Sequence, residues 1–166
     1  MKRARVYRRG PRLFFHSVSK TPEGSWVIAP PFIKLEASQE ESFLGETLLR
    51  VLDASRPGAR DLGDEARKPL LELARARTWT VFMKDTFVCD VEKSETEISF
   101  FPAKNASRRP LTPEGEPKLT ISADASPFHA GKGLRQAFAS LEPKRRTPTK
   151  PKRSAPQSPK NADSPP

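Results

Sequence analysis

Few residues in this chain of 166 amino acids have the type and spacing that catalysis or metal binding requires. The two histidines, His16 and His129, form neither an H-x-x-x-H nor an H-E-x-x-H pattern, so they indicate surface or structural roles. The single cysteine, Cys89, lies on the apolar side of a predicted strand, which indicates a buried thiol rather than a nucleophile. No glycine-rich phosphate loop is present. The sequence therefore predicts a protein that is not an enzyme and that uses no cofactor and no metal ion.

Acidic residues are loosely clustered after the first predicted helix. Asp61, Asp64 and Glu65 lie in a predicted loop, and Glu72 lies in the short helix beyond it. Carboxylates in a loop can bind a divalent cation, but the spacing of these four matches no calcium or magnesium ligand pattern. We therefore assign no metal to them.

The positive charge of the chain is concentrated near its C-terminus. The formal net charge is +10, and residues 143–166 hold seven basic residues against one acidic residue, which is +6 of that total. The segment is rich in proline and contains no Val, Ile, Leu, Phe, Met or Trp, so it cannot bury enough apolar surface to offset its conformational entropy. We predict a folded domain over residues 1–142 and a disordered, basic, proline-rich tail over residues 143–166.

Two roles are open for the predicted tail. Its basic residues can bind phosphate groups without sequence specificity, which makes a nucleic-acid-associated protein the alternative function. The candidate residues are Lys144, Arg145, Arg146, Lys150, Lys152 and Arg153. No aromatic residue stands among them to stack on a base, so sequence-specific recognition is not expected. The simpler interpretation, which we favour, is a solubilising extension.

Cysteine content and hydropathy indicate a cytoplasmic protein. One cysteine forms no disulfide within the chain, and no apolar run approaches the roughly 18 residues of a membrane-spanning helix. The stretch from Met1 to Arg5 is basic like the start of a signal peptide, but no apolar segment follows it. We expect a location in the reducing cytoplasm.

Alternating apolar residues and turn signals predict several strands. A hairpin joins Leu13–Val18 to Trp26–Ile28 through a turn at Thr21–Gly24. Pro30-Pro31 is expected to break the ladder because proline has no N–H to donate, and an extended run resumes at Phe32–Leu35. Further strands are predicted at residues 87–92, 98–101 and 118–122.

Capping signals predict the helices. Ser38 and Glu41 have the spacing of a capping box at the start of the first helix, and Pro57-Gly58 ends that helix. Pro69 suits the first turn of a short helix. Ser126-Pro127 starts the last helix.

Residues 78–83 are ambiguous on their own. Their β-branched members favour a strand, whereas the spacing of Trp79, Phe82 and Met83 favours one helical turn with Thr78 as its cap, which we prefer. Together the elements predict an α+β fold, with a mostly antiparallel sheet and two or three packed helices.

The first and last predicted helices match at an offset of 86 residues. The corresponding apolar residues are Leu44, Leu48, Val51 and Leu52 in one helix and Ala130, Leu134, Ala137 and Phe138 in the other. Gly45 falls on Gly131, and Leu35 falls on Ile121. A glycine inside a helix costs about 1 kcal/mol relative to alanine, so its presence in both suggests close packing on a neighbour. The match indicates either a strand–helix pseudo-repeat or a chance similarity of two amphipathic helices.

Two motifs and their order resemble a known family. The residues W-x-I-A-P-P end the run from Ser19 to Pro31, before an extended segment and a predicted helix. A W-x-x-F-M stretch follows at Trp79–Met83, and a second strand–helix pair closes the domain. Over roughly residues 4–142, the chain resembles the immunity proteins of bacterial contact-dependent growth inhibition systems.

The resemblance implies a protein of bacterial competition that has no turnover chemistry. It would bind the toxic C-terminal domain of an exported effector and neutralise it through a stoichiometric protein–protein contact. Inhibitors of nucleases often present an acidic surface to a basic toxin, which speeds association. On that basis the candidate partner-binding residues are Asp61, Asp64, Glu65 and Glu72.

Overall fold

A computed structural model describes residues 1–104 and 110–143, which form a six-stranded antiparallel sheet with helices packed on both of its surfaces. The strands are β1 (Lys2–Arg9), β2 (Arg12–Lys20), β3 (Trp26–Glu36), β4 (Thr86–Lys93), β5 (Glu97–Ala103) and β6 (Leu119–Ser122). The helices are α1 (Glu41–Asp53), α2 (Lys68–Ala74), α3 (Trp79–Met83) and α4 (Pro127–Ala139), with a 3₁₀ helix at Gly63–Arg67. The predicted α+β fold with an antiparallel sheet is confirmed.

The strand order across the sheet is β3-β2-β1-β4-β5-β6. The central strands β1 and β4 pair from Lys2 opposite Lys93 to Arg9 opposite Thr86. Each strand of this pair is the first strand of a three-stranded meander, which leads outward to the edge of the sheet and is followed by a helix. The molecule thus consists of a first half, β1-β2-β3-α1, and a second half, β4-β5-β6-α4, related by an approximate two-fold axis normal to the sheet.

The strand registers show which residues correspond in the two halves. The corresponding cross-strand pairs are Val6–Phe15 with Val91–Phe100, and Leu13–Leu35 with Ile98–Ile121. The offset is therefore 85 residues in the first two strands of each half and 86 residues from the third strand onward. The strand–helix pseudo-repeat is present, and it extends to all three strands.

The helices α1 and α4 cross each other at two glycines. A Cβ atom on Gly45 would lie 1.6 Å from the backbone oxygen of Pro127, and one on Gly131 would lie 1.8 Å from the backbone oxygen of Glu41. The pseudo-two-fold axis relates these contacts, because Gly45 corresponds to Gly131 and Glu41 to Pro127. Each glycine therefore permits the close helix packing that the sequence predicted.

The two surfaces of the sheet carry separate apolar cores. The larger core lies under α1 and α4, and its strand residues are Ala4, Val6, Leu13, Phe15, Cys89, Val91, Ile98 and Phe100. The smaller core lies under α2 and α3 and contains Tyr7, Phe14, Leu70, Phe82, Met83 and Val88. Because successive side chains of a strand point to opposite faces, the central strands contribute to both cores.

The central strand β1 was not predicted from the sequence, in which Met1 to Arg5 were compared only with the basic start of a signal peptide. Ala4 and Val6 face the larger core, while Arg5 and Tyr7 are buried on the opposite surface. Alternation of basic with apolar residues usually indicates a strand with one solvent-exposed face. Here the charged face is buried as well, and the groups that make this possible come from β4.

The start of α1 also differs from the prediction. The helix begins at Glu41 with Glu40 as its N-cap residue, and no side chain caps it, so the predicted Ser38–Glu41 capping box is wrong. A turn lies between β3 and α1, in which the backbone nitrogen of Gln39 donates to the backbone oxygen of Glu36 at 3.2 Å. The turn moves the helix start beyond Ser38.

Pro30-Pro31 does not end a strand. β3 continues past this dipeptide, whose peptide bond is cis. The pairing with β2 shifts there, since Ser17 lies opposite Ala29 but His16 lies opposite Phe32. The two prolines, which have no N–H to donate, therefore lie in a bulge within one strand.

Three of the predicted helix starts are confirmed. The hydroxyl of Thr78 accepts a hydrogen bond from the backbone nitrogen of Val81 at 3.2 Å, so residues 78–83 form the capped helical turn. The hydroxyl of Ser126 accepts one from the backbone nitrogen of His129 at 3.3 Å. α2 has a proline in its first turn.

Candidate functional site

The two central strands hold a buried ion pair. Arg5 of β1 and Asp90 of β4 face each other, and their side chains are 4% and 3% exposed. The Nε and Nη2 atoms of Arg5 donate to the two carboxylate oxygens of Asp90 at 2.6 and 3.1 Å. Nη2 also donates to the backbone oxygen of Pro110 at 2.5 Å. The ion pair therefore fastens the segment before β6 to the middle of the sheet.

The pseudo-two-fold axis passes between these two residues. Arg5 and Asp90 are paired across the strands and also correspond to each other at the offset of 85 residues. Positions that symmetry would make equivalent thus carry opposite charges. Identical charged residues here would repel each other in a medium of low dielectric constant. The ion pair therefore requires the two halves to differ at this point.

A buried histidine lies beside the ion pair. His16 is opposite Arg5 and is fully buried. Its Nδ1 atom donates to the backbone oxygen of Ser17 at 2.7 Å, which leaves Nε2 to accept from the hydroxyl of Tyr7 at 3.3 Å. Burial lowers the pKa of His16 to about 3, and burial also raises the pKa of the Tyr7 phenol. Both groups are neutral at physiological pH, and their burial keeps them from any ligand in solvent.

The remaining reactive groups lie apart from one another. Cys89 is fully buried in the larger core. His129 is exposed in the first turn of α4, where its Nδ1 atom lies 2.8 Å from the hydroxyl of Ser126. Within residues 1–104 and 110–143, no three His, Cys, Asp or Glu residues lie close enough together to hold a metal ion.

A second polar cluster lies near the edge of the sheet at Trp26, which is half-buried. The guanidinium carbon of Arg3 lies 4.0 Å from the centre of the Trp26 ring, which is a cation–π contact. An Nη2 nitrogen of Arg3 also lies 2.7 Å from a carboxylate oxygen of Glu92. Trp26 therefore packs beneath a charged side chain instead of presenting a bare apolar surface.

The predicted partner-binding residues are all exposed. They are Asp61, Asp64, Glu65 and Glu72. Two of them form ion pairs one turn along the chain, Asp64 with Arg67 at 3.0 Å and Glu65 with Lys68 at 2.5 Å. The segment thus presents acidic and basic groups side by side, and its role in binding stays a prediction.

The predicted tail lies outside the described residues, apart from Pro143. The same holds for each of its candidate anion-binding residues: Lys144, Arg145, Arg146, Lys150, Lys152 and Arg153. Among the helices of the described segments, none combines the length and the apolar character needed to cross a membrane.

The Arg5–Asp90 pair was not predicted from the sequence. Two signals were present: a basic residue between the apolar residues Ala4 and Val6, and an acidic residue in the apolar run at residues 87–91. Neither signal has meaning alone, because only the pairing of β1 with β4 brings the two residues together.

Comparison with known proteins gives a shared fold. No protein-family model matches the chain, and no curated protein matches it. A protein of unknown function from Neisseria meningitidis has a TM-score of 0.65 and 17% identity, over 85% of this chain and 95% of that chain. A chain of a CdiA-CT/CdiI toxin and immunity complex from Yersinia pseudotuberculosis has a TM-score of 0.65 and 20% identity, over 85% of this chain and 97% of that chain. At these identities the likeness shows the fold, so this chain has the fold of a chain from a toxin and immunity complex.

Proposed function

We propose that this protein is an immunity protein that acts in the cytoplasm. It binds the C-terminal toxin domain of a contact-dependent growth inhibition effector and neutralises that toxin by stoichiometric contact. The observation that carries the proposal is the fold shared with a chain of a toxin and immunity complex, which spans 85% of this chain and 97% of the other. The order of the W-x-I-A-P-P and W-x-x-F-M motifs supports it independently.

The distribution of polar groups is compatible with inhibition by binding. His16 and Cys89 are fully buried, and the Arg5–Asp90 pair is engaged inside the sheet. A stoichiometric inhibitor needs none of these groups to be accessible. It needs a surface that buries about 1,600 Å² together with its partner, and a few anchoring side chains within it.

Co-expression with the toxin domain encoded just upstream of this reading frame tests the proposal. The two proteins are expected to co-purify at a ratio of one to one. Toxin activity is expected to fall to background once this protein reaches an equimolar amount. The toxin domain of an unrelated effector is the control and should stay active. A cognate toxin that remains active in a molar excess of this protein would contradict the proposal.

Removal of residues 143–166 separates the proposed function from the alternative. Neutralisation depends on the folded domain, so a chain that ends at Glu142 is expected to inhibit the toxin as well as the full chain does. A nucleic-acid-associated protein would instead lose its retention on a DNA or RNA column at low salt after the same truncation.

A further inference from the structure

One cavity opens from the surface onto the larger apolar core. It has a volume of about 230 Å³ and lies between α4, the β1–β2 turn and the segment that joins β3 to α1. Its floor contains Leu13, Leu44, Leu134 and Phe138, none of which is more than 3% exposed. Apolar surface that faces such an opening is stabilised when another apolar group covers it.

Two arginines stand at the mouth of this cavity. An Nη1 nitrogen of Arg8 donates to a carboxylate oxygen of Glu142 at 2.9 Å, and these side chains are 31% and 52% exposed. An exposed ion pair contributes roughly 0–1 kcal/mol, so another carboxylate can replace Glu142 at small cost. Arg135 is fixed by Glu41 at 2.7 Å and by the backbone oxygen of Ala37 at 3.0 Å. Arg8 is therefore the cation that can change its partner.

At the corresponding edge of the second half, an open depression lies around Ala123, which corresponds to Ala37, and its lining is mostly polar. Its other lining residues are Lys93, Ser94, Glu95, Thr96, Ser122 and Asp124. The counterparts of the four floor residues are nevertheless apolar and buried: Leu48, Leu52, Ile98 and Ala130. Leu49, which corresponds to Arg135, packs against the larger core. The two places therefore differ in the side chains at their rims, although the backbone is repeated.

The size and charge of the cavity indicate its occupant. Sites for drug-sized ligands have volumes of about 300–1,000 Å³. A cavity of about 230 Å³ suits a single large side chain, and such side chains commonly anchor protein interfaces. The end of β1 carries Arg9 in addition to Arg8, and this positive charge favours an acidic neighbour for the anchor. Arg12, at the start of β2, already lies 3.5 Å from a carboxylate oxygen of Glu36.

We propose that the cavity receives one apolar or aromatic side chain of the protein partner, and that an acidic residue beside it pairs with Arg8 in place of Glu142. This inference rests on the proposed function, since the partner is the toxin domain. It also places the anchor of the complex on the surface between α4 and the β1–β2 turn, away from the acidic residues at 61–72.

A substitution that fills the cavity tests the proposal. Ala37→Phe and Ala139→Phe each add a ring to the cavity lining, from two different elements. Each variant is expected to weaken binding of the toxin domain by about tenfold or more, measured by titration calorimetry on the full chain. Ala123→Phe is the matched control, because it adds the same ring at the position that corresponds to Ala37. Arg8→Ala is expected to weaken binding less, and most clearly at low salt.

The outcomes separate the two proposals. A wild-type chain that does not bind the toxin domain overturns both of them. Binding by wild type, together with undiminished affinity in both Ala37→Phe and Ala139→Phe, overturns the cavity proposal and leaves the proposed function standing. An equal loss of affinity in Ala123→Phe also overturns the cavity proposal. Circular dichroism of each variant shows whether its fold is retained.

Discussion

The two halves of this molecule share a backbone plan but differ in side-chain chemistry at corresponding positions. The helix crossing is repeated in detail, since Gly45 and Gly131 each lie against a backbone oxygen of the other helix. The helix caps are not repeated, because Ser126 caps α4 through its hydroxyl while the corresponding Glu40 makes no such bond at α1. A contact between two backbones leaves room for glycine alone. Caps, ion pairs and cavities can differ without moving the backbone.

The largest effect is expected at the helix crossing. Gly45→Ala places a Cβ atom 1.6 Å from the backbone oxygen of Pro127, so α1 and α4 must move apart and admit water to the larger core. We expect the free energy of unfolding in urea to fall by more than about 4 kcal/mol. Gly131→Ala should cause a similar loss. A small effect of either substitution would show that the two glycines are not equally important for the helix crossing.

Gly133→Ala is the matched control in the same helix. Its Cβ atom would lie 3.1 Å from the ring of buried Phe100, which must move by only a few tenths of an ångström to accept it. Alanine also gains about 1 kcal/mol of helix propensity over glycine. We therefore expect stability to stay within about 1 kcal/mol of the original.

The ion pair on the pseudo-two-fold axis gives the next largest effect. Asp90→Asn removes the charge that compensates buried Arg5, and the free energy of unfolding should fall by about 3–5 kcal/mol. The double variant Arg5→Met and Asp90→Leu removes both charges together and should cost less than Asp90→Asn alone. Denaturation of all three proteins measures the difference. A double variant less stable than the single one would show that the fold depends on the ion pair itself and not merely on the absence of an unpaired buried charge.

An exposed ion pair between β1 and the end of α1 is the control for that series. Lys2 and Asp53 lie 2.7 Å apart, with side chains that are 44% and 57% exposed. Asp53→Asn should change the free energy of unfolding by less than about 1 kcal/mol, because water screens this pair.

His16 adds a pH dependence to the first half, because the corresponding residue of β5 is Phe101. Burial holds the pKa of His16 at about 3 in the folded state, against about 6.5 in the unfolded chain. The unfolded chain therefore binds the proton first as the pH falls. The contribution is fully present above about pH 6.5, declines as the pH falls, and ceases to change below about pH 3. At about pH 5 the loss should be about 2 kcal/mol.

Denaturation at about pH 7.5 and about pH 5 measures this loss. In His16→Phe the difference between the two pH values should shrink by about 2 kcal/mol relative to the original protein. The same substitution at the exposed His129 is the control. An unchanged difference in His16→Phe would assign the acid sensitivity to other groups.

The smallest effects are expected at the helix caps. Glu40 has φ −60° and ψ 147°, and Ser126 has φ −61° and ψ 158°, so the two N-caps have almost the same backbone. Ser126→Ala should lower the free energy of unfolding, measured in urea, by about 1 kcal/mol, and Glu40→Ser should raise it by about 0.5–1 kcal/mol. A loss of stability in Glu40→Ser would mean that the two helix starts differ in more than their side chains.

Sequence patterns predicted the elements that local signals define. The Ser126 and Thr78 caps and the hairpin turn before Trp26 each depend on residues that are close together in the sequence. The offset between Gly45 and Gly131 even indicated the helix crossing, because a helical glycine is costly unless something packs closely against it.

The sequence did not reveal the features that depend on distant partners. β1 has too many charges for a buried strand unless Arg5 meets Asp90, which is 85 positions away along the chain. The apolar cavity also depends on residues that are far apart in the sequence, because Leu13 and Leu134 both line it. The Ser38 capping box failed for a related reason, since Arg135 binds backbone oxygens in the segment just before α1 and holds the turn there.

The position of β1 has a consequence for biosynthesis. β1 is synthesised before the other five strands of the sheet, yet it lies at the middle of the finished sheet, between β2 and β4. One of its edges stays open until residues 86–93 have been made, and α1 meets its partner only when α4, at residues 127–139, is complete. Long-range pairings of this kind fold slowly and leave strand edges exposed in the meantime. The nascent chain therefore cannot complete this sheet in two separate halves, and a strand edge stays open to pairing with other chains until the second half has been made.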